Sequence, residues 1–168
     1  MTWLPRLAMV LLVAASAATA QNDDLSRQSL KGLKGVFVIV EPLRAEVERA
    51  GLNKTSIQTD VELKLRQAGI TVLTEAEGHA APGGPALYIN VNAQSSQNGL
   101  TYAYSIRVEL NQDVRLDRDP SIRIIGATTW FVAEVGTVGR DNLRDIRNST
   151  KDRVDEFINA YLSVNPKG

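Results

Sequence analysis

The chain has no cysteine, a single histidine, and aromatic residues at only 5% of its 168 positions. Without thiols there is no disulfide, no thiolate nucleophile and no cysteine to be lipidated behind an export signal. A zinc site takes Cys or several His ligands, so His79 alone cannot supply one. An excess of charge of one sign is also missing, with 19 Lys and Arg facing 19 Asp and Glu. That balance removes the bulk attraction that draws a protein to nucleic acid or anionic lipid, because both depend on clustered cations. Beyond residue 20 there is no apolar run long enough to span a bilayer, and no internal repeat or low-complexity tract. The expectation is a chain with no cofactor, no metal, no nucleic-acid partner and no transmembrane span after residue 20.

What is present begins with an address. Arg6 and the amino terminus precede a short apolar run from Leu7 to Val13, and small residues then lead to Ala18-Thr19-Ala20, before polarity returns at Gln21-Asn22-Asp23-Asp24. A cationic start, a short apolar segment and a small-x-small ending are the pattern of a secretory signal peptide. Residues 1–20 are therefore read as that signal, cleaved after Ala20, with delivery to the periplasm or secretion. Residues 21–168 then form one domain, which at this length can bury a core without staples.

Hydrophobic periodicity organises that domain. Val36-Phe37-Val38-Ile39-Val40 is a continuous β-branched and aromatic run closed by Pro42, and it predicts a central strand buried on both faces. A short helical piece follows within Leu43 to Leu52. Ile57, Val61, Leu65 and Ala68 then recur at helical spacing, with Thr55 as the expected cap and Gly69 as the stop. Ile70 to Thr74 reads as a second strand, so the sheet opens as a βαβ unit. Glu75 to Pro85 reads as a Gly- and Pro-rich loop. Leu87, Ile89, Val91 and Ala93 alternate with polar residues, Asn98-Gly99 marks a hairpin, and a long strand runs from Thr101 to Leu116. Ile122 to Val138 returns beside it, with bends placed at Gly126 and Gly136. A last helix begins near Asp141, buries Leu143, Ile146, Thr150, Val154, Phe157 and Tyr161, and stops before Pro166. The fold class is α+β: a two-layer sandwich in which a mostly antiparallel sheet of about five strands carries two helices on one face and a long β-hairpin.

Catalytic signatures are sparse. His79 lies in the Gly/Pro stretch with no serine in a nucleophile elbow. Asp113, Asp117 and Asp119 are interleaved with Arg115 and Arg118 and read as turn chemistry rather than a calcium loop. Gly136 to Arg140 lacks the lysine and spacing of a phosphate loop. Arg140, Arg144, Arg147, Lys151 and Arg153, interleaved with acids, read as a solvated helix face. No catalytic residue is assigned, and no enzyme is expected. The polar side of the sheet is the candidate contact surface, through Asn90, Asn92, Gln94, Arg107, Glu109 and Arg115, because a broad polar sheet beside long edges can take a partner strand or an extended polymer.

Val61 to Ile70, Ala127-Thr128-Thr129-Trp130 and the ending Asp155 to Pro166 resemble a group of small exported bacterial proteins, over most of residues 30–166. The resemblance brings no site residues with it. The order strand, helix, strand, long hairpin is also similar to envelope modules of the TolB amino-terminal, LptE and CsgG type, although the lipidated cysteine of the latter two is missing here. That likeness is one of fold order and does not settle function; the export signal, the lack of a convergent catalytic set and the long sheet with a polar face lead to the expectation of a non-enzymatic periplasmic binding or envelope-assembly module whose partner is another envelope protein. Two alternatives stand beside it: a carrier with a small-ligand pocket between helices and sheet, and an envelope-polymer hydrolase working through scattered carboxylates.

Overall fold

The structure, a computed structural model, describes residues 20–166. The expected export signal therefore lies, but for Ala20, outside the described residues. The chain is a mixed α+β fold built on one sheet. In chain order the elements are β1 (Ala20–Gln21), α1 (Asp24–Gln28), β2 (Phe37–Val40), α2 (Ala45–Arg49), α3 (Lys54–Gln67), α4 (Glu75–Ala80), β3 (Ala86–Ser95), β4 (Thr101–Leu116), β5 (Asp119–Gly139), a 3-10 turn (Arg140–Asn142) and α5 (Leu143–Val164). The sheet order is β1-β5-β4-β3-β2, with β2 parallel to β3 and the other pairs antiparallel.

Only four of these strands are full length, which corrects the expectation of about five. The missing one is Ile70–Thr74, which makes a single parallel bridge between Val72 and Val36 and then leaves. The crossover unit exists, but it joins β2 to β3 through α2, α3 and α4 rather than closing at residues 70–74. β2 is consequently an edge strand, not a central one. Its buried-both-sides pattern fails at Ile39, which is 37% exposed. Phe37 stays buried on that same side because α4 rests on it.

α4 itself corrects the loop expected over Glu75–Pro85. Thr74 and Glu77 form a reciprocal capping box, which satisfies two amide donors that a six-residue helix could otherwise leave open. Capping also differs at α3, where Asn53 rather than Thr55 accepts from the Ser56 amide at 3.1 Å. The stripe Ile57, Val61 and Leu65 is buried as expected, and Gly69 follows at φ +80°.

β4 and β5 form the long hairpin. Its register shifts at Leu110/Asn111, Gln112/Val114 and Arg115/Leu116. Gly126 lies in the second shift at φ +67°, a backbone state that a residue with a Cβ rarely adopts, so this bend is where glycine is needed. Gly136 does not bend the strand; it pairs in register with Tyr104. Beyond the second shift the two strands form an arm whose tip, residues 117–126, is exposed throughout.

The core lies between one sheet face and the helices α3 and α5, which pack on β2 and on β4 and β5 respectively. Trp130 and Phe157 are fully buried and meet edge to face, with ring centroids 5.4 Å apart. Such a pair contributes about 0.5–1.5 kcal/mol beyond its burial. The Trp130 indole N–H donates to Asn22 Oδ1 at 3.0 Å, so the amino-terminal segment closes over the core's largest side chain. The charged flank of α5 pairs with α3 more than with itself: Arg147 grips Asp60 through two bonds of 2.6 and 2.8 Å, and Lys64 reaches Asp155 at 2.6 Å.

Candidate functional site

The candidate site is the sheet face opposite α3 and α5. Strand alternation sends even residues of β3 and odd residues of β4 to this side. The β3–β4 register places Tyr88 opposite Glu109, Asn90 opposite Arg107 and Asn92 opposite Ser105. The β4–β5 register places Arg107 opposite Ala133 and Glu109 opposite Phe131. The shift after Leu110 then puts Thr128, and not Thr129, on the same face.

Two polar networks result. In the first, the Tyr88 hydroxyl and the Asn90 amide both donate to Glu41, and Asn92 donates to Asn90. In the second, Arg107 is ion-paired with Glu109, while the Thr128 hydroxyl lies 2.7 Å from Glu109 Oε2 and 2.9 Å from Asn111 Oδ1. The Arg107 guanidinium also sits 4.3 Å from the centre of the Phe131 ring, within reach of a cation–π attraction. Arg107 is therefore held from two sides, with its outer surface still open to solvent. Apolar groups flank the networks: Ile39 on β2 and Val135 on β5, the latter 58% exposed.

Of the six candidate residues, the fold brings Asn90, Asn92, Arg107 and Glu109 into adjoining positions. Gln94 is exposed farther along β3, where with Asn92, Ser105 and Arg44 it lines a shallow depression of about 350 Å³. Arg115 is separate: it lies on the arm beyond the second register shift and donates to the Pro120 carbonyl at 2.8 Å. Glu41, Thr128 and Phe131 were not legible as members. Glu41 joins only through the parallel β2–β3 pairing, and Thr128 only through the bulge; the alternation of Tyr88 with dry residues was the one signal that could have added it.

A second cavity of about 600 Å³ opens at the end of the sheet between α2 and the start of α5. Arg49, Arg140, Arg144 and Arg147 line it together with Glu46 and Asp141, over a floor that includes Tyr102. Arg147 is committed to Asp60, whose carboxyl is held below its ordinary range by those hydrogen bonds. Between α5 and the sheet, Glu134 accepts from the Tyr104 hydroxyl at 2.6 Å, and burial raises the Tyr104 pKa ahead of that bond. Among the described residues no three His, Asp or Glu side chains converge on one point. His79 stands on α4 against the Phe37 ring, with centroids 5.1 Å apart.

No family model matches the chain, and no curated protein matches it. Among solved structures it is similar to a PelC dodecamer from Paraburkholderia phytofirmans, with 17% sequence identity and a TM-score of 0.44, over 77% of this chain and 87% of that one.

Proposed function

We propose that this chain is a non-enzymatic, exported binding or envelope-assembly module that holds another envelope protein on the outer face of its sheet. One observation carries the reading. The sheet has a face that neither α3 nor α5 covers, and its Tyr88, Arg107 and Phe131 side chains are positioned by hydrogen bonds, an ion pair and a cation–π contact. Aromatic residues and Arg are the types enriched at the centres of protein interfaces, and groups held in place before association lose less freedom when they bind. The reading takes the fold as two layers, with α3 and α5 on one side of the sheet and, apart from α4 over Phe37, an uncovered polar surface on the other. The likeness in element order to TolB-, LptE- and CsgG-type envelope modules fits it.

Export rests on residues 1–20, with cleavage after Ala20 and residence in the periplasm. Cleavage there would remove Ala20, which pairs with Val132, and leave Gln21 beside Phe131 and Asn22 bonded to the Trp130 indole. Amino-terminal sequencing of the exported protein is expected to read Gln21 first; retention of residues 1–20 would contradict it. For the partner, a tagged copy is crosslinked in its host beside an Arg107→Glu/Glu109→Arg double variant. A defined envelope protein recovered with the first and lost with the second supports the module. Equal recovery with both removes the outer face as the contact surface.

The carrier alternative has one favouring observation, the arginine-lined cavity at the sheet end. It lies beside α2 and not between helices and sheet, and it suits an anion. Native mass spectrometry of protein purified from its host decides that reading by the presence or absence of a bound small molecule.

A further inference from the structure

The cavity at the end of the sheet gathers cationic groups that the fold does not pair. Arg49 at the end of α2, Arg140 on the 3-10 turn, and Arg144 and Arg147 early in α5 all line its volume of about 600 Å³. Arg147 is set against Asp60, but that pairing uses only Nε and Nη2, so the guanidinium is fixed in place while Nη1 bonds to nothing among the described residues. Arg49, Arg140 and Arg144 make no ion pair among the described residues. Two carboxylates share the rim, Glu46 and Asp141, and neither of them is ion-paired. Both signs of charge therefore stand free around one opening, with the cations in excess. The start of α5 adds to that excess, because the Asn142 side chain caps none of its first amides and a 22-residue helix carries partial positive charge there.

The floor supplies an independent sign of a ligand. Tyr102, which lines the cavity, is only 7% exposed, and a tyrosine so deeply buried ordinarily finds a partner for its O–H. The other three tyrosines do: Tyr88 donates to Glu41, Tyr104 to Glu134 and Tyr161 to the Leu33 carbonyl. The Tyr102 hydroxyl bonds to nothing among the described residues. Nor is it sealed in, since Arg153 Nε is the one polar side-chain atom there that is both shut off from solvent and without a bond. It opens instead onto the cavity, between the buried side chains of Leu52 and Leu143.

We propose that this cavity binds a small hydroxylated anion of sugar size, its phosphate or carboxylate held by Arg140 and Arg144 at the start of α5 and its hydroxyls shared among Tyr102, Glu46 and Asp141. Guanidinium groups take oxyanions through paired N–H bonds, and the open amides of a helix start favour the same charge. The two carboxylates would repel a bare anion, but they accept hydrogen bonds from hydroxyls, so a ligand carrying both groups uses the whole rim. The volume falls within the roughly 300–1,000 Å³ of ordinary ligand sites. That ligand class deepens the carrier reading, on which it rests, and owes nothing to the outer face, so the Arg107→Glu/Glu109→Arg variant is expected to bind it as wild type.

The test is titration of the full mature chain, followed by backbone amide chemical shifts and calorimetry, with glucose 6-phosphate and glucuronate as probes and glucose and inorganic phosphate as controls. At least one probe is expected to bind about tenfold tighter than either control and to shift the amides of residues 140–145, and comparing the two probes tells a phosphate from a carboxylate. Arg144→Glu is expected to weaken that binding about tenfold or more, whereas Arg118→Glu, the same charge change on the exposed hairpin tip, is expected to leave it unchanged. Tyr102→Phe removes only a hydroxyl that the fold does not use, so it is expected to unfold as wild type and to bind the probe about three- to tenfold more weakly. No binding of either probe at millimolar concentration, glucose binding as tightly as the probes, or equal losses in Arg144→Glu and Arg118→Glu would each overturn the proposal. Inorganic phosphate binding as tightly as the probes would also overturn it, as the mark of an adventitious ion only. An uncharged molecule retained in native mass spectrometry would leave the carrier reading standing and overturn this ligand class.

Discussion

Gly78 shows how a single side chain fixes an element. A Cβ at that position would collide with the Phe37 ring, so α4 reaches β2 only because residue 78 has no side chain. Gly78→Ala is expected to destabilise by about 1–3 kcal/mol, the usual cost of overpacking, read from urea denaturation. Ala76→Gly, on the exposed side of the same helix, is the control that should show only the smaller propensity loss. Asp60 illustrates a charge effect at the same scale. Its folded pKa lies below the ordinary value because Arg147 hydrogen-bonds the charged form. A carboxyl whose folded pKa is depressed adds stability above its unfolded pKa and loses it as pH falls through the folded one. Asp60→Asn is therefore expected to cost about 0.5–1 kcal/mol at neutral pH, as for partly exposed pairs, with the difference from wild type closing below about pH 4. A difference that stays constant down to pH 2 would show that the pair contributes nothing through charge.

Elements differ in how far their residues announce them. β3, β4 and α5 were legible because each carries a long, regular alternation, and long amphipathic segments are little altered by their neighbours. α4 was not, although Thr74-x-x-Glu77 is a capping signal, because Gly78, Pro82, Gly83, Gly84 and Pro85 outweighed it. β2 and Ile70–Thr74 look alike in sequence, both short and β-branched. Which of them joins the sheet depends on pairing with β3, a contact between residues far apart in the chain. The same limit explains the site: strand parity assigned Asn90, Asn92, Arg107 and Glu109 to one face, whereas Glu41 and Thr128 entered through pairings and bulges that no local pattern encodes. Two outcomes follow at this scale. Phe157→Ala on α5 is expected to cost about 3–5 kcal/mol, measured by chemical denaturation, because it strips the edge-to-face partner from Trp130 in a fully buried layer. The hairpin arm is expected to behave oppositely. Replacing residues 115–123 by Asn-Gly should leave stability within about 0.5 kcal/mol, since the tip is exposed and the second register shift already separates it from the core.

At the scale of the whole molecule, the two sides of the sheet differ in how they are packed. The inner face, with α3 and α5, carries the stability: the largest buried side chains lie there, and ion pairs tie the two helices together. The outer face adds little to that core, yet its polar groups are ordered by one another, an arrangement a merely solvated surface does not require. On the proposed reading stability and binding are separable, so Arg107→Glu/Glu109→Arg is expected to lose the proposed partner while unfolding close to wild type. Site-specific photocrosslinking in the native host tests this most directly, with the photoreactive residue placed in turn at Asn92, Val135 and, on the exposed side of α5, Asn159. The expected result is one discrete envelope-protein adduct from Asn92 and Val135, absent from Asn159 and lost in the charge-reversed background. Adducts that are the same from all three positions, or that survive the charge reversal, would contradict the outer face as the docking surface.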